Sequence, residues 1–454
     1  MAKKISKTWK AIIAVVGALI AIVLVITLTG SIGDRTVSWA VQQAGEDALR
    51  YFSQMKGDGE GNAWEYYAKA MEAAEGIASD RELIGYLDGK EEPTFKLMKE
   101  ILDNLEIIEY LEEGTRQEYC MLPHEYEEGM ESPLPEYVAL RRAVSIACVK
   151  ALYDLENGRS EEALALLFST VMVGKHISSS PRIIDQMIGF TLVSRPLEVL
   201  KIGIASRAFD QEQLVEIAEF LDDLEKHWPM LTDAILGETK LMRISFAKYG
   251  KNINSLLVKG NESTEQLWFV RMLALRVLCW RDWFSPIRAI HSSLSFPESL
   301  EDELRAYELV LLDEEASRES EAHQWASIET RIESFRKRNF WFALSCPEYT
   351  SMFKRKVESI TMIRMFGLAS LLASHRNATG GFPENIMELA PHLIVDLQSR
   401  KPWEYTNYGD SARISSPGIG ADTMSITLTK MNIGQYLGKK RLRAHREHEL
   451  DEEK

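Results

Sequence analysis

From Ala11 to Leu28 the chain is an unbroken apolar run, and after Lys10 the next charge is Asp34. A run of this length reaches the roughly 18–20 residues a helix needs to cross the hydrocarbon core of a membrane. Lys3, Lys4, Lys7 and Lys10 stand directly before it. A basic flank of this kind holds its end of a membrane helix in the cytoplasm. The expectation is a single-pass anchor with the bulk of the chain across the membrane, periplasmic or extracytoplasmic. The competing reading is a cleaved signal peptide, whose apolar stretch is usually about 7–15 residues and ends in a small-x-small site. Here the run closes on Ile26-Thr-Leu-Thr-Gly-Ser31, a poor match to Ala-x-Ala, and no Cys follows that lipoprotein processing could use.

Beyond Asp34 the period changes to that of helices. Leu214, Ile217, Leu221 and Leu224 fall on one helical face, as do Leu140, Ala143, Val144, Ala147 and Ala151. Asn62-Ala-Trp-Glu65, Ser79-Asp-Arg-Glu82 and Asp210-Gln-Glu-Gln213 each put a capping side chain three residues before Glu or Gln, the capping-box spacing that satisfies free amides at a helix start. Asn157-Gly158 predicts the end of one helix, and a second is predicted from Ser160 to His176. Alternating patterns are nearly absent before Pro391. The fold class expected is mainly α: an N-terminal transmembrane helix, a helical bundle or short helical-hairpin body, and a small C-terminal α+β module. The divisions are 1–33 for the basic flank and anchor, 34–350 for the helical body, 351–437 for a long helix and the α+β module, and 438–454 for a charged tail expected to be disordered. Linkers are expected at Gly57–Gly61, Gly114–Pro135 and Gly250–Ser263. A second candidate span, Leu267–Phe284, is interrupted by Arg271, Arg276, Arg281 and Asp282, charges too costly in lipid, and reads better as a buried helix of the body.

Composition narrows the partners. The formal net charge is −15, and setting aside the four N-terminal lysines takes the remainder to −19. A body this acidic does not attract phosphate backbones, so nucleic acid is excluded as a partner. Apolar residues at 45% are ample for a packed core. Of the four cysteines, Cys148 and Cys279 sit in apolar helical patterns and read as small hydrophobes. Cys120 and Cys346 lie near prolines and are the plausible pair if any disulfide forms; none is expected.

Two stretches carry resemblances. Tyr153, Gly158, Ala163 and Leu167 match the preferences of one tetratricopeptide-like hairpin, with no second copy at a period of about 34 residues. A bundle of antiparallel helices is the plainer reading. Further on, a helix from about Phe353 to His375 leads into Arg376-Asn-Ala-Thr-Gly-Gly-Phe-Pro383, then Ile386, Leu389 and Pro391, a Trp403-Glu-Tyr405 strand, and Ser415-Ser-Pro-Gly-Ile-Gly420. This resembles the C-terminal module of many uncharacterised membrane-anchored bacterial envelope proteins, in which a helix enters Gly-[Phe/Tyr]-Pro-x-x-Leu-x-x-Leu and a short hairpin. The same loop logic occurs in the major pseudopilin of type II secretion. Asn62-Ala-Trp-Glu-Tyr-Tyr67 also looks like those envelope proteins. The resemblance implies location and architecture, with Gly380, Gly381, Phe382, Pro383 and Leu389 as structural residues. Pseudopilin loops can hold calcium, but Asp410 and Asp422 have few acidic companions here, and no such site is expected.

Catalytic spacings are missing from the sequence. No His has Glu three positions before it, His124-Glu-Tyr-Glu-Glu128 lacks the second His of a zinc-protease helix, and there is no Cys-x-x-Cys, Walker loop or Gly-x-Ser-x-Gly elbow. His445-x-x-His448 sits in the charged tail, and the acidic run from Glu100 to Glu136 reads as a solvated face. His176 and His227 fall near helix ends, where an imidazolium complements the helix dipole. No cofactor and no metal are expected, and no catalytic residue can be named. The reading is an envelope protein of the interaction or scaffold kind, with the membrane and a protein on the helical body as partners. The alternatives are an envelope hydrolase assembled from separate helices and an accessory of a secretion or pilus system.

Overall fold

The structure, a computed structural model, describes residues 42–55, 61–77, 80–249, 305, 349–389, 395–397, 399, 401–417, 425–429 and 431–441. The apolar run 11–28, the Leu267–Phe284 stretch, Cys279, Cys346, Asp422 and His445-x-x-His448 lie outside these residues, as do the Gly250–Ser263 segment and most of Gly57–Gly61.

Within them the body is helical. Helix α1 covers 42–55, followed by α2 (Ala63–Ala73), α3 (Asp80–Leu87), α4 (Phe95–Asp103) and α5 (Glu106–Thr115). A 3-10 segment at Tyr126–Glu131 leads into α6 (Tyr137–Glu156), α7 (Ser160–Ser178), α8 (Ile183–Ala205), α9 (Gln211–Lys226) and α10 (Leu231–Tyr249). Helix α11 (Tyr349–Thr379) opens the C-terminal part, and α12 spans 433–441. The expected Gly114–Pro135 linker is shorter than the sequence suggested. Gly114 sits buried in the last turn of α5, where a Cβ would run into the Tyr67 ring.

The capping reading is met in graded fashion. Asp210 and Gln213 form the full reciprocal box at the start of α9. Asn62 caps α2 by accepting from the Trp64 amide, and the same side chain grips Met121 through its amide (2.8 Å) and carbonyl (3.0 Å). Asn62 is therefore spent on a long-range tie and not on a box with Glu65. Ser79 lies outside the described residues.

Helices α6, α7 and α8 form the centre, with Leu140, Ala143, Val144, Ala147 and Ala151 all buried as their spacing predicted. The α7–α8 crossing is close enough that a Cβ on Gly189 would lie 2.5 Å from the Gly174 carbonyl oxygen. Helix α11 lies against α9 and α8. Its Met352–Thr379 portion is long and apolar enough to cross a membrane but is mostly buried within the protein. Its polar residues are used inside the fold: Arg364 Nε donates to Glu225 Oε1 at 2.5 Å, and Lys356 Nζ to the Pro229 carbonyl at 2.7 Å.

The C-terminal module follows the sequence reading in outline. Helix α11 ends at Thr379, Gly380 takes φ 83°, and its amide returns to the Arg376 carbonyl at 2.8 Å. A positive φ here is strained for any side chain with a Cβ, which is why glycine releases the helix. Strands β1 (Val395–Asp396) and β2 (Lys401–Pro402) form one ribbon; β3 (Glu404–Asn407), β4 (Ala412–Ser415) and β5 (Ser425–Leu428) form an antiparallel sheet in that order. The module docks on the end of α8, whose last carbonyls have no helical partner. The Thr429 amide and hydroxyl both donate to Ala205 O at 3.1 Å. The charged tail expected from 438 begins inside α12. Leu437 is buried there, and Arg441 reaches Glu156 Oε1 at 3.2 Å, so the acidic end of α6 holds the helix in place.

Candidate functional site

The densest chemistry gathers at the start of α8. Arg182 caps that helix in an extended conformation, and Asp185 occupies its first turn, where the positive end of the helix dipole favours a carboxylate. Asp185 Oδ2 accepts from His124 Nε2 at 2.7 Å and from the Ser180 hydroxyl, while Oδ1 accepts from the Tyr137 hydroxyl. Three donors on one carboxylate offset the cost of burying its charge. On the other side of the ring, Arg182 Nη1 lies 3.3 Å from His124 Nδ1 and 3.3 Å from the Ser132 carbonyl. A guanidinium can only donate, so Nδ1 is the accepting nitrogen and Nε2 carries the proton that Asp185 receives.

A second layer closes over these groups. Tyr126 stands 5.6 Å from the His124 ring and stacks on Phe52 of α1 at 4.3 Å. Glu238 of α10 accepts from the Ile183 amide at 3.4 Å. Burial pushes its carboxyl above the usual range, with the Arg182 charge opposing that shift. Burial, then the Asp185 charge, push the Cys120 thiol up to about 12. Both Cys120 and Cys148 carry free thiols, and burial likewise raises Cys148 to about 12. Neither is a thiolate nucleophile at neutral pH. The Tyr67 hydroxyl and His176 Nδ1 share a hydrogen bond of 2.7 Å. Burial, helped by the Lys175 charge, lowers His176 to about 4. His176 is thus neutral at pH 7, which corrects the expectation that it complements the end of α7 as a cation. His227 is exposed at the C-terminal end of α9, near the helix end where its sequence position put it, and lies 2.9 Å from Asp223.

The side chains of both His124 and Asp185 have an accessibility of 0%. Ser180 spends its proton on Asp185 and not on the imidazole, so the three do not form a relay toward a nucleophile. What the arrangement does is join distant pieces: the 120–135 loop, α6, the α7–α8 turn and α10. The residues read from sequence as structural lie elsewhere. Gly380, Gly381, Phe382 and Pro383 form the α11 turn. Tyr405 Oη donates to the Pro383 carbonyl at 2.7 Å, and Asn407 Nδ2 to the Phe382 carbonyl at 3.1 Å. Phe382 is buried under the Arg376 guanidinium, 5.4 Å from the ring centroid, and Leu389 is half-buried against the core. Among the described residues no group of three His, Cys, Asp or Glu side chains is placed to hold a metal ion.

Sequence reading missed the Asp185 centre. His124 sits inside an acidic run, and Asp185 looks like any first-turn acid. The available signal was Ser180-Pro-Arg-Ile-Ile-Asp185, two charges set between apolar helices. The chain matches no family model, no curated protein and no solved structure.

Proposed function

We propose that the chain is a membrane-anchored envelope protein that acts by binding another protein and not by catalysis, with the 11–28 run as its anchor. The closure of the Asp185 centre carries this reading. A general base or nucleophile has to come within about 3 Å of a substrate atom, and His124 and Asp185 are both wholly enclosed. The outer surface supports the binding half of the reading. Phe95 (86% exposed) and Leu102 (41%) are seven residues apart on one face of α4, and Leu105 (41%) follows. The Gly-Phe-Pro turn and small sheet are in keeping with the likeness to envelope proteins and to pseudopilin-like loops.

Fractionation of cells expressing the full chain tests the location. The protein is expected in the membrane fraction after an alkaline carbonate wash, retaining its own N-terminus on sequencing. A variant lacking 1–33 should remain soluble on the cytoplasmic side. A soluble mature protein beginning near Ser31 contradicts the anchor.

A further inference from the structure

Helix α12 starts on signals of its own. The Gln435 amide donates to Asn432 Oδ1 at 3.0 Å and the Asn432 amide to Gln435 Oε1 at 3.2 Å, a reciprocal box set by neighbouring residues alone. Ile433, Tyr436, Leu437, Lys440 and Arg441 then share one face, at the spacing by which amphipathic helices enter grooves. Leu437 is fully buried, Ile433 and Tyr436 are half-buried against the core, and Gln435 and Lys439 on the opposite face are exposed.

The seat is shaped for that face. Gly89, at φ 66° just past α3, lets two side chains lie over its backbone: a Cβ there would stand 2.9 Å from the Lys440 stem and 3.5 Å from Leu437. Glu156, the last residue of α6, receives Arg441 Nη2 at 3.2 Å on one oxygen and the Tyr86 hydroxyl of α3 on the other. Tyr86 therefore orients the carboxylate that α12 uses. Glu92 takes Arg441 Nη1 at 3.3 Å. Burial holds the Lys440 ammonium below the ordinary lysine value, and Glu198 of α8 and Asp88 oppose that shift.

The resident helix fits this seat incompletely. Arg441 Nε is buried with no partner among the described residues, a cost that a differently placed guanidinium would not carry. The Arg441–Glu92 pair lies at the surface, with 79% of that carboxylate exposed, and surface pairs add little. The grip of the small sheet on α8 is made at Thr429, upstream of α12, so the helix can leave its seat without unfastening the sheet. We propose that α12 is a displaceable strap, and that its seat takes a basic amphipathic helix of a partner protein in its place. This rests on the reading of the chain as a binding protein and names the partner's chemistry. The partner helix carries a bulky apolar residue for the place of Leu437 and an Arg three or four positions on for Glu156 and Glu92.

Amide hydrogen exchange of the unaltered full-length chain in zwitterionic detergent tests the strap. The amides of α12 are expected to exchange at least about tenfold faster than those of α6, by local opening. Exchange of α12 only in step with α6 overturns the proposal. Fluorescence anisotropy with a labelled peptide of residues 431–441, standing in for the partner helix, tests the groove. The tethered strap competes at an effective concentration on the order of millimolar. A full-length Leu437→Ala, Arg441→Gln double variant is therefore expected to bind the peptide at least about tenfold more tightly than the parent. Adding Glu156→Gln to that variant should weaken binding about tenfold, the loss of one charge-assisted contact, and adding the surface control Arg50→Gln should not. Circular dichroism and the melting temperature of each variant separate lost binding from lost fold. A folded double variant that ignores the peptide overturns the proposal, as does binding that Glu156→Gln leaves intact. Such a failure concerns this surface alone: the carbonate wash tests the anchor independently, and a chain released by that wash would still bind the peptide.

Discussion

Two side chains report on single-residue energetics. His176 is held down to about 4 by burial, against an ordinary value near 6.5 in the unfolded chain. Between those values the unfolded state binds the extra proton, so stability is full above about pH 6.5 and falls as pH drops toward 4. His176→Gln should lack that step, and melting temperatures of both proteins across pH 4–7.5 check it. A slope the variant shares would place the proton elsewhere. Arg207, just past the end of α8, has φ 57°, and the Ala208 amide reaches the Gly203 carbonyl at 3.0 Å. This is the left-handed exit that glycine favours, and Arg207 also adds its charge to that lowering the buried Arg376 to about 10. Arg207→Gly is therefore expected to stabilise by about 1 kcal/mol, readable as a higher urea midpoint at unchanged slope.

At the scale of elements, the parts legible in sequence are those fixed by neighbours in the chain. The Asp210–Gln213 box, the break at Asn157-Gly158 and the Gly380–Pro383 turn each depend on a few consecutive residues, and each stands where it was expected. The Asp185 centre depends on residues 61 positions apart, and neither His124 nor Asp185 departs from its local pattern enough to announce the pairing. His176 went astray for the same reason, because position near a helix end says nothing about the Tyr67 hydroxyl that a distant helix brings to it. The turn can be tested as an element. Phe382→Ala should cost about 3–5 kcal/mol if the ring is a full core aromatic, while exposed Glu384→Ala should melt like the parent. The α7–α8 crossing gives a second test. Gly189→Ala forces a methyl against the Gly174 carbonyl and should cost about 1–3 kcal/mol.

At the scale of the whole molecule, the most reactive-looking groups, His124 and Asp185, are locked inside the helical body. Asp185 ties loop, helix and turn through three donors, so Asp185→Asn is expected to destabilise the whole fold, by about 3–5 kcal/mol for a broken buried charge network. Closure is tested most directly by modifying histidines in the native full-length chain with diethyl pyrocarbonate and quantifying each site by mass spectrometry. His227, with 63% of its side chain exposed, should react readily, and His124, at 0%, should react only after denaturant unfolds the protein. Modification of His124 in the native state at a rate comparable to His227 would contradict the account, because the centre would then be open to a substrate.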